Sequence, residues 1–253
     1  MVKTENLGVR YWLPSIATSS VKDFAIRALK GQMRINYHWA LKDINLSILK
    51  GEILGLVGHN GAGKSTFLKT IARILKPTEG RVIVRGQVAA LLGVGAGFHV
   101  ELTGRENVFL NGAILGFSGK QMEEKFERIV DFAEVWDYID QPIRTYSSGM
   151  RIRLGFAIAT DSKPDILIVD EILAVGDESF RRKSSDRMKL FRDQGTTILL
   201  VTHNMDTVRE ICHRVAWIHQ GHLRLAGGVE EVVPAYIAER SQHSEKKNPR
   251  MRA

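Results

Sequence analysis

One cysteine in 253 residues, Cys212, excludes an internal disulfide and any metal site built from cysteines. Long hydrophobic runs are also missing. The apolar stretches last only a few residues, too short to span a bilayer. The first ten positions, Met1 to Arg10, carry no apolar signal segment, so the chain is expected to stay in the cytosol. Internal repeats and long heptad runs are absent too, which excludes a solenoid and an extended coiled coil. Cys212 itself falls at the end of an expected helix from Asp206. There it reads as a buried small residue, the alternative being a reactive thiol.

What is present is ordinary in bulk: 44% apolar and 25% charged residues, enough for one large domain or two small ones. The net charge of +8 invites a nucleic-acid reading, but its distribution argues otherwise. Residues 13–38 carry Lys22, Arg27, Lys30 and Arg34 against Asp23. Residues 241–253 carry Lys246, Lys247, Arg250 and Arg252 against Glu245, so most of the excess lies in two short segments. Peripheral basicity suits anionic lipid headgroups at least as well as a DNA track, and plain surface charge is the alternative for the tail.

Strand-like runs fall at Gly8–Leu13, Ile44–Ile48, Ile53–Val57, Arg81–Arg85, Val88–Leu92, Ile166–Val169, Thr196–Val201, Val215–His219 and Leu223–Ala226. Helical patterns alternate with them, as in an α/β domain with a largely parallel sheet. Lys64–Leu75 puts Phe67, Leu68, Ile71, Ile74 and Leu75 on one face, with Pro77 just beyond. Between about 98 and 162 helices take over, and Thr103–Glu106 and Ser118–Gln121 both read as capping boxes. Residues 13–38 interrupt the pattern. Val21, Phe24, Ala25, Ala28 and Leu29 share a helix face with the basic residues off it, so this insertion is either a membrane-facing helix or one packed on the domain edge.

The chemistry starts at Gly58-His59-Asn60-Gly61-Ala62-Gly63-Lys64-Ser65-Thr66, a complete phosphate-binding loop between an apolar strand and a helix. Its backbone N–H groups and the helix N-terminus would cradle phosphates. Lys64 would reach the β- and γ-phosphates of ATP, and the Ser65 hydroxyl would help hold Mg²⁺. Asp170 ends the buried-strand run from Ile166, placed to orient Mg²⁺ through water, and Glu171 could take a proton from an attacking water.

Tyr146-Ser147-Ser148-Gly149-Met150-Arg151 resembles the signature of ATP-binding-cassette ATPases, opening a helix about twenty residues before Asp170. The resemblance implies that Ser147 to Met150 contact the γ-phosphate held by the other subunit of a homodimer. It also makes Asp177 the D-loop acid and His203, after Leu200-Val201-Thr202, the switch histidine. The implied fold is a P-loop NTPase with a RecA-like core, an antiparallel β subdomain and a helical subdomain over residues 1–240. A basic tail, 241–253, is expected to be disordered. Two departures stand out. The glutamine that usually ends the strand before the helical insert is missing from Val88–Phe98, and Gln87 comes too early. The aromatic that stacks on adenine is Tyr11 by position, with Tyr37 or Trp39 as alternatives.

Gly95 to His99, Glu101 to Asn107, Thr145 to Met150 and Asp170 to Asp177 are similar to the ATPase subunits of polysaccharide exporters. That group implies two copies of a separate membrane permease, a lipid-linked polysaccharide substrate carried on undecaprenyl pyrophosphate, and a place on the cytoplasmic face of the inner membrane. No nucleic-acid partner is expected, nor the carbohydrate-binding domain that some O-antigen exporters append. A soluble cassette acting on DNA or ribosomes, another transporter class, and a non-catalytic cassette-fold scaffold are the rival readings.

Overall fold

A computed structural model describes residues 1–14, 35–91, 97–170 and 177–247. Two sheets form. In the first, β1 (Val2–Pro14) pairs antiparallel with β2 (Ile35–Ile48) on one edge and with β4 (Glu79–Val84) on the other. The second has six strands in the order β5-β6-β7-β3-β8-β9: β3 (Ile53–Val57), β5 (Val88–Leu91), β6 (Ile166–Asp170), β7 (Thr197–Val201), β8 (Arg214–His219) and β9 (His222–Gly228). All its pairings are parallel except that of β9 with β8. Every residue of β3 and β7 is buried, which is why these strands read as unbroken apolar runs rather than alternating ones.

β1 starts earlier than expected, at Val2 rather than Gly8. Its first turn of sequence looks polar, yet Val2 and Thr4 point inward and the Thr4 hydroxyl donates to the Ile44 carbonyl at 2.9 Å. β2 likewise begins at Ile35, so the hairpin arms absorb both ends of the expected 13–38 insertion. Positions 15–34, including the proposed amphipathic face, lie outside the described residues.

Helix α1 (Lys64–Ile71) is shorter than the pattern to Leu75 suggests. Arg73 takes a left-handed conformation (φ 60°), its N–H donates to the Thr70 carbonyl, and that of Ile74 donates to Lys69. This Schellman closure ends the helix without a glycine, and it leaves Ile74 65% exposed. Next come α2 (Gly104–Ile114), α3 (Gly119–Ala133), two short 3₁₀ turns and α4 (Ser148–Asp161). Both expected capping boxes form, at Thr103/Glu106 and Ser118/Gln121. These helices have their own core, with Val108, Phe126, Ile129, Val130 and Leu154 at its centre.

After β6 come α5 (Glu178–Asp193), α6 (Met205–Ile211) and, following β9, α7 (Val229–Lys247). The tail expected to be disordered from 241 is helical as far as Lys247, and residues 248–253 lie outside the described residues. Cys212 caps α6 in a buried position, and burial pushes its thiol up to about 12, so the inert reading holds over the reactive one. Two further cores flank the large sheet. One joins Leu54, Phe67 and Leu199 to Leu7 and Ile44 of the antiparallel sheet. The other joins Ile53, Phe156, Phe180, Leu200 and Val232.

Candidate functional site

β3, β6 and β7 are parallel and end at one edge of the sheet, where open α/β sheets bind their ligands. Register places the groups there. Leu56 pairs with Val201, and Val201 pairs with Asp170, so Asp170 stands two strands, about 10 Å, from the start of the phosphate loop. His203 follows directly on β7 and is exposed. Glu171 lies outside the described residues.

The loop from Gly58 to Gly63 wraps the N-terminus of α1. Gly58 is required by close approach, since a Cβ would fall 2.3 Å from the Ile218 carbonyl oxygen. Gly63 is the left-handed N-cap (φ 110°), and a Cβ there would lie 2.5 Å from the Ala40 carbonyl. Among the described residues no side chain caps α1, which leaves its first N–H groups for an anion. Lys64 is 8% exposed, and its ammonium donates to the Gly58 carbonyl at 2.7 Å and the His59 carbonyl at 3.1 Å, folded across the loop it serves. Asn60, Gly61 and Ser65 are exposed at the mouth, Ala62 is fully buried, and Thr66 lies between.

The adenine alternatives separate by strand face. Directly paired residues share a face and neighbours alternate. Tyr11 pairs with His38, and its hydroxyl lies 3.5 Å from the Thr66 hydroxyl, beside the loop. Tyr37 and Trp39 pair with Trp12 and Arg10 on the opposite face, where the Arg10 guanidinium sits 4.3 Å and 5.6 Å from their rings. Tyr11 is the only one of the three on the loop side.

Ser147 is the N-cap of α4, and its hydroxyl oxygen accepts the Met150 N–H at 3.1 Å. That leaves the Ser148 hydroxyl and the Ser148 and Gly149 N–H groups as the exposed lead of the helix, with Gly149 and Met150 half-buried. Asp177 caps α5, accepting the Phe180 N–H at 2.9 Å. That bond, with the neighbouring Arg153 guanidinium, holds its carboxyl below the usual range.

Sequence reasoning missed three features. Arg153 of α4 pairs with Asp177 and with Glu134, and lies 5.2 Å from the Phe180 ring, tying the signature helix to the start of α5. Its signal was visible as a basic residue one turn into the signature helix. Asn107 is wholly buried: its amide nitrogen donates to the carbonyls of His99, Leu102 and Thr103, and its oxygen accepts the His99 N–H. It therefore shapes the whole Glu101–Asn107 segment. The third, the β8–β9 turn behind the phosphate loop, left no sequence signal. Gln87 immediately precedes β5, at the end far from the site, and its N–H donates to Asp165. It is not the missing glutamine, and residues 92–96 lie outside the described residues.

The pattern of the ABC transporter family matches residues 41–174, more than half of the chain, and takes in the phosphate loop, the signature helix and the β6 acid. The chain belongs to the ABC transporter family. As a cassette of that family it binds ATP and is an ATPase. The O-antigen export system ATP-binding protein RfbB of Klebsiella pneumoniae is 44% identical over 242 residues, covering 93% of this cassette and 97% of that protein. The teichoic acids export ATP-binding protein TagH of Bacillus anthracis is 39% identical over 93% of the cassette, which spans 42% of TagH. The ATP-binding cassette MJ0796, solved as a dimer in a post-hydrolysis state bound to ADP and Pi, superposes with a TM-score of 0.72. It covers 90% of this chain and 99% of its own at 23% identity, a likeness of fold. No helix among the described residues is long and apolar enough to cross a membrane.

Proposed function

We propose that this cassette is the ATP-hydrolysing subunit of an exporter of lipid-linked polysaccharide, of the O-antigen, galactan or teichoic acid kind, carried on undecaprenyl pyrophosphate. The observation that carries the reading is the similarity to RfbB over nearly that protein's whole length. It works as a homodimer beneath two copies of a separate permease, at the cytoplasmic face of the inner membrane. The permease side has a candidate surface. Val100, Leu110, Ile114 and Leu115 are exposed on and beside α2, with Ile114 70% accessible, more than a solvent face needs.

In this scheme ATP lies on the loop from Gly58 to Thr66 with its base on Tyr11. Lys64 leaves the loop carbonyls for the β- and γ-phosphates, and Glu171 takes the proton of the attacking water while His203 senses the γ-phosphate. The Ser65 hydroxyl at the loop mouth and the Asp170 carboxylate across the sheet edge are hard oxygen donors of the kind Mg²⁺ takes, Asp170 through water. When bound, the ion neutralises charge on the transferring phosphate. Ser147 to Met150 of one subunit meet the ATP of the other, and Asp177 joins them near the interface. Closure of the dimer on ATP moves the permease, and hydrolysis reopens it.

The test is to purify the chain from its native membranes in mild detergent. A stoichiometric multi-helix membrane protein, with ATPase activity raised by lipid-linked glycan, supports the proposal. A soluble chain carrying nucleic acid that salt removes would overturn it.

A further inference from the structure

The tip of the β8–β9 hairpin backs the phosphate loop. Besides the Ile218 carbonyl against Gly58, the Gly221 N–H donates to the Ala62 carbonyl at 2.9 Å, and the Gly221 carbonyl accepts the Lys42 N–H at 2.8 Å. The His219 ring meets the His59 ring edge to face, centroids 5.1 Å apart at 84°. His59 Nδ1 lies 2.8 Å from the Asn60 carbonyl oxygen, which can only accept, so that nitrogen carries a proton and the ring is pinned to its own loop.

Helix α7 reaches the same tip from the far side. Glu239 Oε1 is 3.4 Å from His219 Nδ1, and Oε2 is 2.6 Å from Arg224 Nη2 of β9. The Arg224 guanidinium in turn lies 4.7 Å from the Trp217 ring, which packs on Tyr236 of α7. The Glu239 side chain is 17% and that of His219 23% exposed, so the pair is largely withdrawn from water. A continuous path thus runs from α7 through Glu239, His219 and His59 to the two carbonyls, of Gly58 and His59, on which Lys64 rests.

We propose that Glu239 and His219 are positioning residues for ATP binding, through which the C-terminal helix sets the conformation of the phosphate loop. Neither reaches the nucleotide. They hold His59, and with it the stretch of backbone that must exchange its hold on Lys64 for phosphate. A loop held in one conformation loses less entropy when it closes on the nucleotide. Chemistry at the γ-phosphate, set by Glu171 and Asp170, is untouched. The inference depends on residues 58–66 being the nucleotide site and not on what is exported.

The experiment is an ATP titration and a steady-state ATPase assay of the full chain with Glu239→Ala, His219→Ala, the double variant and Val232→Ala. Val232 is fully buried in α7 and off the path, so its truncation loosens the helix without touching the chain of contacts. Each single path variant is expected to weaken ATP affinity by roughly fivefold, with the double no worse than either single, because both break one path. The kcat at saturating ATP should stay within about twofold of wild type, and Val232→Ala should lower the melting temperature with ATP affinity unchanged. Unaltered affinity in the singles, additive losses in the double, or an equal loss from Val232→Ala would each overturn the proposal. A wild-type chain with no affinity for ATP would overturn both it and the reading of the loop.

Discussion

The Tyr146 hydroxyl oxygen occupies the space in which a side chain on Gly104 would begin, 2.1 Å from where its Cβ would lie. The same hydroxyl donates to the Tyr138 carbonyl at 2.7 Å, and burial pushes it up to about 12. Tyr146 immediately precedes the Ser147 cap, so this contact sets where the signature helix starts. Gly104→Ala is expected to cost about 1–3 kcal/mol of stability through overpacking. Tyr146→Phe should cost about 1 kcal/mol for the lost hydrogen bond. Combined, the two should cost less than their sum, since the phenyl ring lacks the clashing oxygen. Urea unfolding midpoints of the three variants decide it; strict additivity would mean the contact is not felt.

Acid should weaken the helical layer through Asp161. Burial alone would raise this carboxyl, but the Arg128 guanidinium and the Lys125 ammonium, at 3.0 Å and 2.8 Å, outweigh it and leave the group below the usual carboxylate range. A depressed folded value means that the unfolded chain takes up the proton first. The stabilisation is therefore complete above the unfolded value of about 3.9 and is lost as pH falls through the lower folded one. Asp161→Asn should lower the melting temperature at pH 7 and flatten its decline below about pH 4. An unchanged profile would count against the pairing.

Strand face predicts which aromatic meets adenine. Tyr11→Ala should weaken ATP affinity roughly tenfold, in line with the loss of one base-stacking ring. Tyr37→Ala, on the other face, should leave it alone. A titration with ATP that reverses the two would move adenine to the Arg10 side of the hairpin.

Glu171→Gln should retain ATP binding, stop turnover and trap a closed dimer. The readout is size-exclusion chromatography with and without MgATP. A variant that stays monomeric in MgATP would contradict the two-site clamp.

Replacing Leu110 and Ile114 by Glu should abolish co-purification with the permease while ATP affinity persists. Ile114 is largely and Leu110 partly exposed in the isolated chain, so the fold should survive the change, which circular dichroism checks. Undiminished co-purification would clear α2 of the docking role.

The strands that carry the site were legible because burial on both faces writes them as plain apolar runs, as in Ile53–Val57 and Thr197–Val201. The caps of α2 and α3 were legible for the opposite reason, since their hydrogen bonds close within four residues. What stayed hidden leaves no periodic pattern in the sequence. The start of β1 looks polar until Thr4 finds Ile44, and the end of α1 turns on an arginine in a conformation usually left to glycine. The helical stretch past Arg240 has no apolar period to announce it. Asn107 sat at the end of a recognised segment and Arg153 just past one, yet their work is done on backbone carbonyls and on acids that only the folded chain brings near.

β3, whose last residue opens the phosphate loop, has no neighbour from its own part of the chain. It is flanked by residues 198–201 on one side and 214–217 on the other. The antiparallel sheet can assemble from early sequence, but the strand that aims the loop gains its neighbours only after most of the protein has left the ribosome. A chain cut short before β7 would therefore hold every residue of the loop and neither of the strands that flank β3. Incomplete translation products of this ATPase should be unable to capture nucleotide.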